Sequence, residues 1–599
     1  MPGRIEDYAL IGDLQTAALV GRDGSIDWLC LPRFDSPSCF AALLGGDEHG
    51  HWRLSPVGSG ARPTRRYIGN SLVLETVWET PTGSCRVIDF MPQRDRTPDV
   101  MRIVEGISGT VRMTGELRLR FDYARIIPWV RRTDHHRVAV AGPDAVWLRA
   151  GPGVRTKGQD FAHFAEFTVH EGERHPFVLS WRPSHLTQPP RQDPDQALAA
   201  TLADWEKWAS QCTYEGPDRD LVLRSLIILK ALTYEPTGGI VAAVTAGLPE
   251  QIGGERNWDY RFCWLRDSTM TLGALLRAGF RDEAEAWHDW LLRAIAGDPA
   301  DLQTMYGVAG ERRLPEIAAD WLPGYESSRP VRFGNAAVNQ LQLDVYGEVL
   351  DTLYLAHCHG ITMERHVWGL VRKLLEYLEE HWSDPDEGLW EVRGPRRHFV
   401  HSKVMSWVAF DRAVRLAEET GLPGPVERWR ELCGIIHADV CERGVDHERG
   451  VFTQYYGGKE LDAATLFTVM TGFLPPSDPR VVNTVRAVRD ELDEGGFVRR
   501  YSLPAEGTSA VDGLRGEEGA FLACSYWLAT ALLQIGEKEE AQDLFTRVSA
   551  LANDLGMISE EWDAESGRQL GNTPQAFTHV ALVDTAFQLA GHGRDPRIV

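Results

Sequence analysis

The stretch Glu255-Arg-Asn-Trp-Asp-Tyr-Arg-Phe-Cys-Trp-Leu-Arg-Asp-Ser-Thr269 places four aromatics, three arginines and three acids in fifteen positions. It runs straight into Met270-Thr-Leu-Gly-Ala-Leu-Leu-Arg-Ala-Gly-Phe280, where apolar residues recur at helical spacing and a glycine sits just before the end. The polar-aromatic cluster is therefore read as a loop feeding the start of a helix. Arg266 beside Asp267, with Trp264 close by, offers hydrogen-bonding groups and a flat apolar face, which suits a sugar. The same residues would also serve as a buried ion pair bracing the helix.

Upstream of this stretch, to about Arg182, short β-runs alternate with Pro, Gly and Asp. They are Ser71 to Trp78, Met101 to Gly106, Val111 to Tyr123, His163 to Val169 and Phe177 to Trp181. That pattern describes an antiparallel sandwich. Near its front, the turn-rich segment 23–37 carries Trp28, Arg33 and Asp35, and reads as a hairpin or as a loop reaching toward a site on another domain. A proline-rich stretch then leads into the amphipathic run Asp195 to Ala209, read as a helical linker.

After Gly216 helical periodicity takes over. Helices are expected at 218–232, 268–278, 282–296, 335–357, 362–381, 402–420, 425–443, 480–492, 519–535, 538–555 and 575–590. About a dozen helices with no strand pattern of matching strength imply helical hairpins, either closed into an (α/α)6 barrel or left as an open solenoid. The expected layout is a β-sandwich domain over 1–190, a helical linker over 191–216 and an all-α catalytic domain over 217–599.

Bulk composition agrees with two domains: 599 residues exceed what one hydrophobic core usually serves. A formal net charge of −23 argues against nucleic acid or an anionic membrane as partner. No apolar run approaches a spanning helix, and the first residues show no signal-peptide core. Nine scattered cysteines without CxxC spacing suit a reducing compartment, so the protein is read as cytoplasmic. Twenty tryptophans in an acidic chain hint at a carbohydrate site, or at a large aromatic core. The oligomeric state is open, and a homo-oligomer is compatible with the sequence.

Between the expected helices lie loops rich in Trp, Tyr, Glu, Arg and Gly, each preceding a helix, so that all would collect at one mouth. Two of them, Trp390-Glu391 and Glu560-Glu561-Trp562, carry acids flanked by tryptophan. A glycosidase needs one carboxylic acid to protonate the leaving oxygen and one carboxylate to activate water or attack. Burial beside an indole keeps an acid protonated near neutral pH. Among 86 acidic residues, solvated surface is the ordinary alternative for any such pair. His357-Cys-His359 and His398-Phe-Val-His401 lack the further ligands that complete a metal set, so no metal or other cofactor is expected. No nucleophile elbow or phosphate-binding glycine motif occurs at a strand–helix junction.

In Ile5-Glu-Asp-Tyr-Ala-Leu-Ile-Gly-Asp13, Asp23-Gly-Ser-Ile-Asp-Trp28, Asn257-Trp-Asp-Tyr-Arg-Phe-Cys-Trp-Leu-Arg-Asp267 and Gly571-Asn-Thr-Pro-Gln-Ala-Phe-Thr-His579 the chain resembles the family 15 glycoside hydrolases, the glucoamylase, glucodextranase and trehalase group. The resemblance covers essentially the whole chain, and its nearest flavour is the bacterial and archaeal trehalase-like branch. It implies a β-sandwich followed by an (α/α)6 barrel, and hydrolysis of an α-glucosidic bond with inversion. Trp264, Arg266 and Asp267 resemble the segment that grips the non-reducing glucose. Trp390-Glu391 resembles the pair supplying the general acid, Glu391. The segment 559–563 resembles the one supplying the general base, here Glu560, with Glu561 in place of the glucoamylases' Gln. Arg500 and Tyr501 resemble an Arg-Tyr pair in the substrate cleft, and Glu517, on another pre-helix loop, is the reserve candidate for the base. The expected activity is an inverting, exo-acting α-glucosidase with α,α-trehalose the favoured small-molecule substrate. A glucan α-glucosidase of the glucoamylase or isomaltose type, a phosphorylase and a non-catalytic sugar-binding protein are the alternatives.

Overall fold

The computed structural model describes residues 2–58, 63–95, 97–133, 136–502, 511–514 and 516–591. Residues 592–599 of the expected helical domain lie outside the described residues. In the N-terminal part the named strands pair antiparallel, organised by one long strand, Asp99–Arg118. Its first half pairs with Gly83–Phe90 and Arg174–Pro183, its second half with His51–Pro56 and Ala162–His170. Two sheets thus share one strand. The sequence reading divides it into 101–106 and 111–123, because glycines normally mark turns. Here Gly106 lets backbones approach closely instead: a Cβ there would run into the carbonyl of His170. Trp28, Trp52 and Trp78 are buried, and Cys85 Sγ, on one sheet, lies 3.6 Å from Met113 Sδ on the other.

A short turn, α1 (Phe121–Ala124), follows the long strand, and α2 (Pro194–Ala209) is the expected linker helix. It is packed rather than free. Trp205 and Trp208 are buried, Trp208 stacks on Phe280 at 4.0 Å, and its indole N–H donates to Glu283 at 2.7 Å.

The remaining helices are α3 (Arg219–Ala231), α4 (Leu265–Arg277), α5 (Arg281–Ala294), α6 (Asp344–Cys358), α7 (Arg365–His381), α8 (Val400–Thr420), α9 (Val426–Arg443), α10 (Phe467–Met470), α11 (Pro479–Glu491), α12 (Leu522–Gln534), α13 (Lys538–Ser549) and α14 (Ala576–Leu589). Their contacts form a cycle in which α4 packs on α6, α6 on α8, α8 on α10, α10 on α12, α12 on α14, and α14 on α4. The others lie against this cycle from outside: α3 on α14, α5 on α4, α9 on α8, α13 on α12. Sequence chooses the layer. α12 is buried at every position from Leu522 to Leu532, whereas α7 buries only Val367, Trp368, Val371, Leu374, Leu375 and Leu378, one amphipathic face.

One helix starts later than its periodicity implies. Within 335–357, α6 begins only at Asp344. Asn335 caps a short 3-10 turn by accepting from the Ala337 N–H at 2.9 Å, and Glu387 accepts from the Leu341 N–H at 2.8 Å. These side-chain bonds satisfy the backbone in place of a helical ladder. The two parts of the chain meet closely: Trp28 Nε1 donates to the Val244 carbonyl at 2.7 Å, and Arg65 pairs with Asp554 at 2.7 Å.

Candidate active site

Residues 257–264 run nearly extended, and side chains of an extended segment alternate between its two sides. Trp258, Tyr260 and Trp264 line a cavity at the N-terminal ends of α4 and α14. Asp259 and Arg261 face away. Arg261 is buried, grips Asp259 at 2.6 and 2.8 Å, and donates to the Ser36 carbonyl at 2.8 Å and the Tyr123 hydroxyl at 2.9 Å. The N-terminal part therefore braces the cavity wall from behind. In the segment 23–37, Arg33 pairs with Asp35 and reaches Glu311 at 2.8 Å, outside the cavity lining.

The expected loop gives way to helix sooner than its composition implies, because α4 begins at Leu265 and takes Arg266 and Asp267 into its first turn. Asp267 is favoured there by the positive end of the helix dipole. Arg266 holds Asp267 at 3.0 Å and donates to the Leu389 carbonyl at 2.7 Å, which ties the loop ahead of Glu391 to the helix. Glu391 itself has φ of 59°, a left-handed conformation uncommon for a residue with a side chain. Its Oε1 accepts from Trp264 Nε1 at 2.5 Å and lies 3.9 Å from Arg266. Burial raises its pKa above the usual carboxylate range, and Arg266 and the Trp264 bond pull it back in part. Trp390 lines the same cavity and donates to Asp462 at 2.9 and 3.0 Å.

Glu560 comes to this cavity from the far end of the sequence. Its Oε1 accepts from the Tyr260 hydroxyl at 2.6 Å, and its Oε2 from the Asn572 N–H at 3.3 Å. Burial, and then the charge of Glu250, push its pKa up to about 8. The next residue faces the other way: Glu561 accepts from the Gly519 N–H at 2.9 Å and lies 3.5 Å from Arg500, outside the lining.

Arg500 and Tyr501 line the cavity, held by neighbours. Arg500 bonds Glu250 at 2.7 Å and Glu518 at 2.5 Å, and the Tyr501 hydroxyl donates to Asp512 at 2.7 Å. Glu517 is a correction. It is exposed and absent from the lining, because its neighbour Glu518 takes the inward position to pair with Arg500.

Tyr260, Glu250, Arg256 and Asp512 also line the cavity and were missed as site residues. Alternation through 258, 260 and 264 could have found Tyr260. Glu250, Arg256 and Asp512 sit in loops without periodicity, and Arg256 pairs with Asp512 at 2.5 Å. Among the described residues, one group of acids has spacing suited to a metal: Glu250, Glu518 and Glu561, with oxygens within 4.8 Å of one another. The Arg500 guanidinium already supplies positive charge to all three. The paired histidines of the sequence take other partners: His357 meets Glu419 at 3.2 Å, and His401 packs edge-on against Phe467.

A family model described as "Glycosyl hydrolases family 15" matches residues 216–540 and 534–587, and one described as "Trehalase-like, N-terminal" matches residues 1–202. The "Trehalase" of Mycobacterium tuberculosis is 41% identical over 612 residues, spanning 97% of this chain and 88% of its own. The "Trehalase" of Thermoplasma acidophilum is 35% identical, spanning 95% and 98%. Among solved structures, a bacterial glucoamylase complexed with acarbose superposes with a TM-score of 0.75 at 13% identity, covering 99% of this chain and 94% of that one.

Proposed function

The chain belongs to glycosyl hydrolases family 15, and on that premise we propose that it hydrolyses α,α-trehalose to two molecules of glucose, with Glu391 as general acid and Glu560 as general base. The observation that carries this is geometric. Two carboxyls from loops far apart in sequence line one cavity, each bonded by an aromatic side chain of a single segment, Trp264 for Glu391 and Tyr260 for Glu560.

In this reading Glu391 gives its proton to the glycosidic oxygen, and Trp264 steadies the carboxylate that results. Glu560 takes a proton from the attacking water, and the Tyr260 hydroxyl supports its ionised form. Trp264, Arg266 and Asp267 hold the reacting glucose, while Trp390, Arg500 and Tyr501 shape the remaining wall. The closed cycle of helices, with further helices outside it, supports an (α/α)6 barrel behind a β-sandwich, divided near residues 190 and 216. Nine free cysteines support a cytoplasmic home.

The test is incubation with trehalose, maltose, isomaltose and soluble starch, with and without phosphate, followed by NMR. Trehalose should be cleaved fastest and without phosphate. Inversion at one of its two anomeric centres releases α- and β-glucose first in equal amounts, before mutarotation. Initial α-glucose alone would mean retention, and preference for starch would favour the glucoamylase-type reading.

A further inference from the structure

The cavity just described occupies one end of the helix cycle. A second cavity, of about 550 Å3, occupies the other. α4 contributes Arg266 and Asp267 to the first and Arg277 to the second, while α14 contributes Phe577 to the first and Ala581 and Asp584 to the second. The same helices thus run from one cavity to the other. Their C-terminal ends, with the negative end of each helix dipole, lie at the second cavity.

Its walls are largely apolar and polarisable: Met270, Met405, Phe467 and Trp527 line it together with Thr585. Three acids also reach it. Asp351 pairs with Arg412 at 2.7 Å, and Asp584 pairs with Arg277. Glu348 is different: it is 2% exposed, and its Oε1 is buried without a hydrogen-bond partner among the described residues. A buried polar atom left unmatched beside open space is costly, and a donor placed in that space would relieve it. Burial and the nearby Asp344 push the Glu348 pKa well above the usual carboxylate range.

We propose that this second cavity binds a compact organic cation with an apolar body. The ammonium would pair with Glu348 while the body packs against Trp527, Phe467 and the methionines, aromatic faces and thioethers being well suited to a cation carried on an apolar frame. On binding, the Glu348 O–H releases its proton to solvent, and the carboxylate accepts from an ammonium N–H. A volume of this size lies within the range of small-molecule sites. The helix C-termini and the three acids disfavour an anion.

Calorimetry on the full chain at pH 7 tests this with cyclohexylammonium and cyclohexanol, the same ring with and without charge. Saturating glucose occupies the first cavity throughout. The amine should bind at least roughly ten-fold more tightly than the alcohol. Glu348→Gln should abolish that preference. Ala581→Leu, which narrows the cavity and leaves all three acids in the sequence, should weaken binding of both at least roughly ten-fold. No binding of the amine to the unaltered protein, equal affinity for amine and alcohol, an undiminished preference in the Glu348→Gln protein, or unchanged binding in the Ala581→Leu protein would each overturn the proposal.

Discussion

Glu391 and Glu560 are both held above the ordinary carboxylate range, but their neighbours differ in sign. Arg266 lies 3.9 Å from Glu391, whereas the largest charge effect on Glu560 comes from the acid Glu250. Their proposed roles separate on a substrate whose leaving group needs no proton. Glu391→Gln should lower kcat on trehalose by roughly 10²–10⁴, yet approach unaltered turnover on α-glucosyl fluoride. Glu560→Ala should fail on both. Steady-state kinetics on the two substrates checks this, and the opposite pattern would exchange acid and base. The pH profile follows from the same contacts. In the proposed reading the base must be ionised and the acid protonated, so the rising limb of kcat/KM should report the raised Glu560 carboxyl and the falling limb the loss of the Glu391 proton. Glu250→Gln removes a negative neighbour, which favours ionisation of Glu560. The acid limb should then move to lower pH by roughly one unit or more, and a limb that stays in place would detach Glu250 from the base.

At the scale of elements, the site depends on where backbones come close enough to fix a carboxyl. Gly571 has φ of 72°, and a Cβ there would run into Glu560 Oε2. Gly571→Ala should therefore turn the base out of position. We expect kcat to fall at least roughly ten-fold, beside a stability loss of about 1–2 kcal/mol from the left-handed backbone. Kinetics together with thermal melting separates the two effects, and unchanged kcat would show that Glu560 needs no such support. Much of this level was legible in the sequence. Inner helices such as α12 and α14 announce themselves by continuous apolar runs, and α7 by its single apolar stripe. The pairing of Trp264 with Glu391, by contrast, joins residues 127 positions apart, which no local periodicity encodes. Glu517 and Glu518 illustrate the same limit: which of two adjacent acids turns inward is decided by Arg500, a partner elsewhere in the chain. The start of α6 was misplaced because Asn335 and Glu387 supply side-chain bonds that override helical spacing. The long strand Asp99–Arg118 was divided because its glycines serve close approach rather than turns.

For the molecule as a whole, closing helices into a cycle gathers buried acids along its interior, and their protons set how stability depends on pH. Burial pushes Asp344 up to about 7 and Glu560 up to about 8, and holds Glu348 and Glu561 well above their usual range. In the unfolded chain these groups ionise near pH 4. Between pH 6.5 and 8 the folded protein therefore binds more protons than the unfolded one, so stability must fall as pH rises. The other shifted groups do not reverse that sign. His163, His398, His401, His437 and His579, all held below their usual range, pull the other way near pH 6.5, where an unfolded imidazole is half protonated, but by at most half a proton each. Lys403, lowered to about 8, does so only at the top of the window, and the interior carboxyls outweigh them. Carboxyls held below their usual range, such as Asp512 and Asp554, are ionised in both states throughout the window. Each retained proton is worth about 1.4 kcal/mol per pH unit. Calorimetric scans at matched ionic strength should thus give a lower Tm at pH 8 than at pH 6.5. Asp344→Asn should flatten the slope at little structural loss, since neither carboxylate oxygen of Asp344 has a hydrogen-bond partner in another of the described residues. A Tm that rises across the window would mean that these interior acids are already ionised in the folded chain, and that the cycle is wetter inside than its packing implies.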